Sequence, residues 1–266
     1  MSDVLQIENS GRVRTLRLNR PEKKNALSEE LAWGIVAAVE EAAKDDSVWV
    51  IGITGTADSF CSGLDLTPSN SGRHSPLSEL DGYLDDLGWV SRFPLALREQ
   101  CDKPIVAGLN GVAVCAGLSL AMAADIRIAA ESVRLIAGYP RIGGSPDGGL
   151  SWTLSQAIGY EQAMRFLLEN RTVGAEEALR LRFVGEVVPD DRFQVRFEEY
   201  CQSLTNLSPI TARLTKRVVR RANRLSDAEA HFRYELQSIR RAFESEDGKE
   251  ARQAFGEKRA PVFKGR

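Results

Sequence analysis

The chain has 266 residues, enough for one large domain or one domain with a smaller appendage. Apolar residues make up 43% and charged residues 27%, as in an ordinary soluble globular protein. Lys plus Arg is 35 against 37 Asp plus Glu, a formal net charge of −2, so bulk electrostatics gives no case for nucleic acid or an anionic membrane as partner.

Val4 to Ile7 and Val13 to Leu18 read as two strands around the turn Asn9-Ser10-Gly11. In the second, Val13, Leu16 and Leu18 mix with Arg14, Thr15 and Arg17, roughly as in a half-buried strand. Asn19 to Asn25 is a polar loop. Ser28, followed by Glu29 and Glu30, opens a helix from Glu29 to Ala43, with Leu31, Ile35, Val36, Val39 and Ala43 on one face. Val48 to Thr54 is a strand running into Gly55, and Ser59 to Leu66 follows, with Gly63 permitting close backbone approach. The Ser, Pro, Asn and Gly content of Thr67 to Ser78 predicts a mobile loop. Tyr83 to Gln100 reads as a helix with a break near Pro94.

Ile105 to Leu109 is an apolar run that suits a buried strand. It turns at Asn110-Gly111, reaches Cys115-Ala116-Gly117, and enters a small-residue helix from Leu118 to Ala124. A strand, a small-residue turn and a helix start leave backbone N–H groups at a helix N-terminus, where they can stabilise a negatively charged oxygen. Ile126 to Ala129 and Val133 to Ala137 are further short strands. Gly138 to Gly149 is a turn-rich loop. Helices follow at Trp152 to Ile158, Tyr160 to Leu168 and Ala175 to Leu181, and Val184 to Pro189 links them to a helical remainder from Arg192 on. Its Lys216, Arg217, Arg220 and Arg221 predict a solvated basic face.

Cys61, Cys101, Cys115 and Cys201 form no CxxC pair and show no metal spacing with the two histidines, His74 and His231. Reduced thiols, a cytoplasmic location, no metal site and no Ser-His-Asp triad are therefore expected. Met1-Ser2-Asp3 leads straight into a strand-like pattern, so neither a signal or transit peptide nor a membrane span is expected. Strand and helix alternate in the first half and helices fill the end, an α/β core with a helical C-terminal part.

Several segments, in order and spacing, carry a resemblance over essentially the whole chain. They are Asn19-Arg20-Pro21 with Asn25-Ala26-Leu27; Phe60 to Leu66; Lys103-Pro104 through Asn110-Gly111, Ala116-Gly117 and Ala121 to Asp125; Arg141-Ile142-Gly143 with Pro146 to Gly149; and Ala254 to Arg259. The chain resembles the crotonase, or enoyl-CoA hydratase/isomerase, superfamily. The resemblance implies an α/β spiral of repeated ββα units over residues 1–195 and a helical C-terminal trimerisation region over 196–266, in a homotrimer or homohexamer. It implies an acyl-CoA thioester as ligand, with coenzyme A part of the substrate and no separate cofactor. The thioester oxygen would sit between the N–H groups of Leu64 and Ala116. Ser62 would line the site, Lys24 would meet the CoA phosphates, and Phe255 and Lys258 would reach the adenine end of CoA on a neighbouring subunit.

The chain departs from the hydratases where they hold and activate water with two glutamates. Ser119 stands at the first position and Tyr139 at the second. One carboxylate remains: Asp147 matches an aspartate of a subset of family isomerases, those resembling the ring-epoxide isomerase of phenylacetate degradation, and Trp152 matches that subset too. In the dehalogenase branch an aspartate near this position is a nucleophile. A single carboxylate suffices for a double-bond shift, because the proton it takes from one carbon returns at another. Asp147 before Gly-Gly and a helix is also a common N-cap. Asp65 and Asp125 read as structural, Asp65 ordering its loop through backbone N–H groups. Three readings are open: an enoyl-CoA isomerase with Asp147 as acid/base, a hydratase or lyase of unusual substrate range, and an acyl-CoA binding protein that has lost catalysis.

Overall fold

Apolar alternation sets the first hairpin. Strand β1 (Leu5–Ser10) pairs antiparallel with β2 (Val13–Leu18), Leu5 opposite Leu18 and Ser10 opposite Val13. The computed structural model describes residues 4–67, 75–224 and 227–266. Met1 to Asp3, His74 and most of the loop expected to be mobile lie outside the described residues. Helix α1 (Glu29–Lys44) starts where Ser28 accepts a hydrogen bond from the Leu31 N–H, with Glu29 and Glu30 against the positive end of the helix dipole. It buries Leu31, Ile35, Val36 and Val39, as its spacing predicts.

Three strand pairs then repeat one arrangement. In β3 (Val50–Gly55) with β4 (Ser59–Cys61), β5 (Ile105–Leu109) with β6 (Val112–Val114), and β7 (Ile126–Ala130) with β8 (Arg134–Ile136), the first strand enters one sheet and the second another. The larger sheet has the order β1-β2-β3-β5-β7-β10, where β10 is Glu186–Val188, and is parallel except at β1/β2. The smaller has the order β4-β6-β8-β9, where β9 is Thr172–Gly174. Helices follow the pairs: α2 (Glu79–Tyr83) and α3 (Gly88–Leu95) after the first, α4 (Ala116–Ala123) after the second, and α5 (Leu150–Ile158), α6 (Tyr160–Glu169) and α7 (Ala175–Arg180) after the third. This is the expected α/β spiral of ββα units.

Period-two alternation splits the large sheet between two cores. Ile51, Ile53, Ile105 and Ala107 face the main core with α1 and α4. Val50, Val106 and Ile128 face a second core covered by Phe193, Phe197 and Cys201. Those three lie on α8 (Asp190–Leu204), which runs through residue 195, where the sequence divides core from helical tail. The tail continues as α9 (Pro209–Ala222), α10 (Ala228–Glu244) and α11 (Glu246–Glu257). Among the described residues no helix is long and apolar enough to cross a membrane.

Three expectations need correction. The helix expected over Tyr83 to Gln100 is interrupted between Tyr83 and Gly88, not at Pro94, which sits inside α3 before a π turn at Ala96–Gln100. Strands β4, β6, β9 and β10 were not expected; at three residues each, they are too short to show a period. The basic residues of α9 are only in part a solvated face: Arg221 is exposed, but Lys216 and Arg220 are not. Lys216 has a side chain only 7% exposed, 2.8 Å from Asp125, and it donates to the carbonyls of Leu97 and Lys103. Arg217 and Arg220 share Asp102, and Arg221 stacks over Tyr234.

Candidate active site

Two loops from different ββα units meet at the carboxyl side of the small sheet. Beyond β4, Leu27 forms a parallel bridge with Leu64: the Leu27 N–H donates to Gly63 O at 2.7 Å, and Leu27 O accepts from the Asp65 N–H at 2.9 Å. Gly63 O and Asp65 N–H thus face Leu27, and the Leu64 N–H points to the opposite side. Beyond β6, Cys115 turns the chain into α4, so Ala116 is the first helical residue and its N–H has no acceptor in the preceding turn. Neither of these two N–H groups finds a backbone acceptor among the described residues.

Glycine lets the two loops touch. A Cβ on Gly117 would lie 2.3 Å from Cys61 O, and one on Gly63, whose φ is +97°, would lie 3.0 Å from Val114 O. Any side chain at Gly117 would separate the Ala116 turn from the Leu64 loop. Two N–H donors are therefore carried on closely packed backbones, a pre-organised arrangement for an oxygen that gains negative charge.

One turn into α4, Ser119 is fully buried. Its hydroxyl donates to Asp147 O at 3.1 Å and lies 3.4 Å from the Tyr139 hydroxyl. Tyr139, only 4% exposed, opens a 3-10 turn (Tyr139–Ile142) and donates to Asp147 Oδ1 at 2.9 Å. Burial pushes its phenol above the ordinary value, against a lowering effect of the Ser119 hydrogen bond, so Tyr139 is a donor at neutral pH and not a base. The structure thus joins the three positions singled out in sequence. The half-buried Asp147 does not cap the following helix: α5 has Gly149 as N-cap with no side-chain cap, and the carboxylate turns to Tyr139. Cys115 lies near the same carboxylate; burial and then the charge of Asp147 push its thiol up to about 11. It is a neutral thiol at pH 7.

A model of the enoyl-CoA hydratase/isomerase family matches residues 8–266. The chain belongs to that family. It is 31% identical over 258 residues to the 1,2-epoxyphenylacetyl-CoA isomerase of Escherichia coli, covering 96% of this chain and 95% of that one. It is 30% identical over 261 residues to the enoyl-CoA hydratase EchA19 of Mycobacterium tuberculosis, covering 98% and 96%. An enoyl-CoA hydratase structure from Bacillus anthracis superposes with a TM-score of 0.89 at 25% identity, over 99% of this chain and 100% of that one. The chain is an acyl-CoA enzyme of the crotonase superfamily, of hydratase/isomerase type.

The outer residues expected from the family pattern are more scattered. Lys24 holds both carboxylate oxygens of Asp58, at 2.6 and 2.9 Å, in an exposed pair. Ser62 lies beside it, its hydroxyl donating to Lys23 O. Phe255, 87% exposed, and Lys258 stand at the end of α11, with no hydrogen bond or ion pair to the Asp147 cluster among the described residues. Asp65 orders its loop as expected, accepting from the Thr67 N–H, and also pairs with Arg20 at 2.7 Å. Asp125 binds the Ile105 N–H and Lys216. No cluster of His, Cys, Asp and Glu among the described residues could hold a metal ion.

Sequence reasoning missed Val90. Its carbonyl oxygen would lie 3.4 Å from a Cβ on Gly148, so α3 forms a wall beside Asp147. Pro94, four residues on, was the available signal, because it withholds the N–H that would meet this carbonyl in an unbroken helix. The Tyr139–Asp147 hydrogen bond was also missed, having no signature in residue spacing.

Proposed function

We propose that the protein shifts a carbon–carbon double bond in an enoyl-CoA thioester, with Asp147 as the acid/base and the Leu64 and Ala116 N–H groups holding the enolate oxygen. One observation carries this reading. Both positions at which hydratases hold water with glutamate bear hydroxyls committed to Asp147, the single carboxylate in the cluster among the described residues. The family relationship to a 1,2-epoxyphenylacetyl-CoA isomerase supports the same choice.

In the forward step an Asp147 oxygen takes a proton from the γ carbon of a 2-enoyl thioester or the α carbon of a 3-enoyl thioester. The C–H pair moves into the conjugated system and onto the thioester oxygen, giving a dienolate. The two backbone donors stabilise that charge by roughly 3–4 kcal/mol each, judged from oxyanion-hole deletions. In the return step the O–H bond of Asp147 breaks and a C–H bond forms at the other end. The enzyme recovers its carboxylate, so neither water nor a cofactor is consumed.

CoA enters as part of the substrate. Lys24 exchanges Asp58 for a CoA phosphate, Ser62 lies along the thioester arm, and Phe255 and Lys258 meet the adenine end on a neighbouring subunit. A homotrimer or homohexamer in the cytoplasm fits the exposed stripe Phe232, Leu236, Ile239 and Phe243 of α10, each about half or more exposed.

The test offers 3-enoyl-CoA and 2-enoyl-CoA thioesters and follows both isomerisation and hydration. Asp147→Asn is expected to lower isomerisation kcat by roughly 10²–10⁴-fold. Wild-type turnover in that variant overturns the mechanism. The name of the hydratase relative favours a second reading, and hydration of a plain 2-enoyl-CoA with a kcat above about 1 s⁻¹ would establish it instead. Tight thioester binding with no turnover would mark a catalytically impaired binder.

A further inference from the structure

Resting on the isomerase reading, we propose that Tyr139 is a positioning residue: its hydroxyl occupies one oxygen of Asp147, so that a single carboxylate oxygen meets the substrate, and with Ser119 it fills the place where a hydrating water would sit. The geometry is unusually closed for a polar pair. Tyr139 is 4% exposed and Ser119 fully buried, so both hydroxyls are withdrawn from bulk solvent. The phenol is fixed from both sides of its backbone. Gly138 N–H donates to the Asn170 side chain at 2.7 Å, and Tyr139 O accepts from the Gly144 N–H at 3.0 Å. Ser119 fixes the other partner, donating to the backbone carbonyl of Asp147 at 3.1 Å. The two hydroxyl oxygens lie 3.4 Å apart, each with its proton directed at Asp147.

The consequence follows from what a carboxylate can accept. An ionised carboxylate has two oxygens and about four lone-pair directions. A donor locked on Oδ1 fixes the rotamer and leaves Oδ2 as the oxygen that can approach carbon. One oxygen serving two carbon positions in turn returns the proton to the face from which it took it. Each hydroxyl has one proton, and both protons go to Asp147, so neither is left to donate to a water. The arrangement therefore bears on the choice between isomerisation and hydration as well as on rate. Among the described residues, the Tyr139 phenol and the Cys115 thiol are titratable groups that feel the carboxylate's charge.

The experiment compares wild type, Tyr139→Phe and Asp147→Asn on 3-hexenoyl-CoA from pH 5 to 9. Removing a hydrogen bond to the ionised form of a base makes that form less stable. Tyr139→Phe is expected to lower kcat about tenfold with KM changed less than about twofold, and to move the acid limb of kcat upward by roughly one pH unit. A merely structural tyrosine would not move that limb. Wild-type kcat with an unmoved limb in Tyr139→Phe, beside an inactive Asp147→Asn, overturns this proposal and leaves the isomerase reading standing. An active Asp147→Asn overturns the isomerase reading itself. A measurement on the wild-type protein covers the case of a variant that does not fold. In D₂O most product molecules should carry the migrating hydrogen of the substrate, and complete deuterium incorporation at the receiving carbon overturns the proposal.

Discussion

Cys115 holds a backbone conformation that favours glycine, with φ 48° and ψ −124°. Both flanks impose it. Its N–H donates to Ile136 O on β8, and its carbonyl accepts the Ser119 N–H of the first turn of α4. Between those bonds the chain must reverse at one residue if the Ala116 N–H is to face the Leu64 loop. Such strain costs about 1–3 kcal/mol and is held by the surrounding structure. The expected result is an inverted order of stability. At an ordinary position glycine is less stable than alanine by roughly 0.5–1 kcal/mol. Here Cys115→Gly should be more stable than Cys115→Ala by about 1–2 kcal/mol, because alanine keeps the strain and glycine removes it. Urea unfolding of the two variants decides it; an alanine variant more stable than the glycine one by roughly 0.5–1 kcal/mol would mean the turn is unstrained.

At the scale of elements, the Leu64 donor depends on a clamp between the loops after β2 and β4. Arg20 donates to Ala26 O and to Asp65 Oδ2, and Asp65 Oδ1 accepts the Thr67 N–H. The Arg20 hydrogen bond, then those from Thr67, hold the Asp65 carboxyl at about 2, below its ordinary 3.8. A carboxyl lowered by folding stabilises the folded state fully above its unfolded value. That stabilisation is lost as pH falls through the folded value. Asp65→Asn is thus expected to cost about 2 kcal/mol at pH 6, with the gap to wild type closing as pH falls from about 4 toward 2. Urea midpoints at pH 6, 4 and 3 follow this, and a gap independent of pH would show that the charge of Asp65 does not contribute. This clamp also marks what the sequence could convey. Long strands such as Ile105–Leu109 and the face of Glu29–Lys44 are written in local periodicity, and the Ser119 and Tyr139 departures are visible as residue types at family positions. The loop-ordering role of Asp65 was legible, but its partner Arg20, forty-five positions away, was not. The same limit hid the Tyr139–Asp147 bond and the partners of the basic face of α9, because tertiary pairing leaves no trace in spacing along one helix.

Over the whole molecule, α9 ties the C-terminal helices to α4 and to α5, the helix that follows Asp147. Its Lys216 plugs into Asp125 at the end of α4, and Arg217 and Arg220 into Asp102 before β5. Just beyond its end, Arg224 lies 5.4 Å over the ring of Trp152 on α5, whose other cationic neighbour is Arg98 at 5.0 Å. Lys216 is the deepest of these contacts. Removing it leaves the carbonyls of Leu97 and Lys103 without their donor and deprives Asp125 of its ion-pair partner at 2.8 Å, with only the charges of Arg98 and Arg127 left to offset it. Breaking one side of a buried ion pair costs more than the pair contributes, because the remaining charge stays desolvated. Lys216→Met is therefore expected to destabilise by about 3 kcal/mol, against less than about 1 kcal/mol for Arg221→Met, whose contact is a stack on Tyr234. The mechanism also predicts coupling. Asp125→Asn in the Lys216→Met background removes the stranded charge, so the double variant should lose less than the sum of the singles. Denaturant unfolding of the four proteins measures that cycle. Additive losses, or a Lys216→Met variant as stable as Arg221→Met, would return α9 to the solvated face that its sequence suggests.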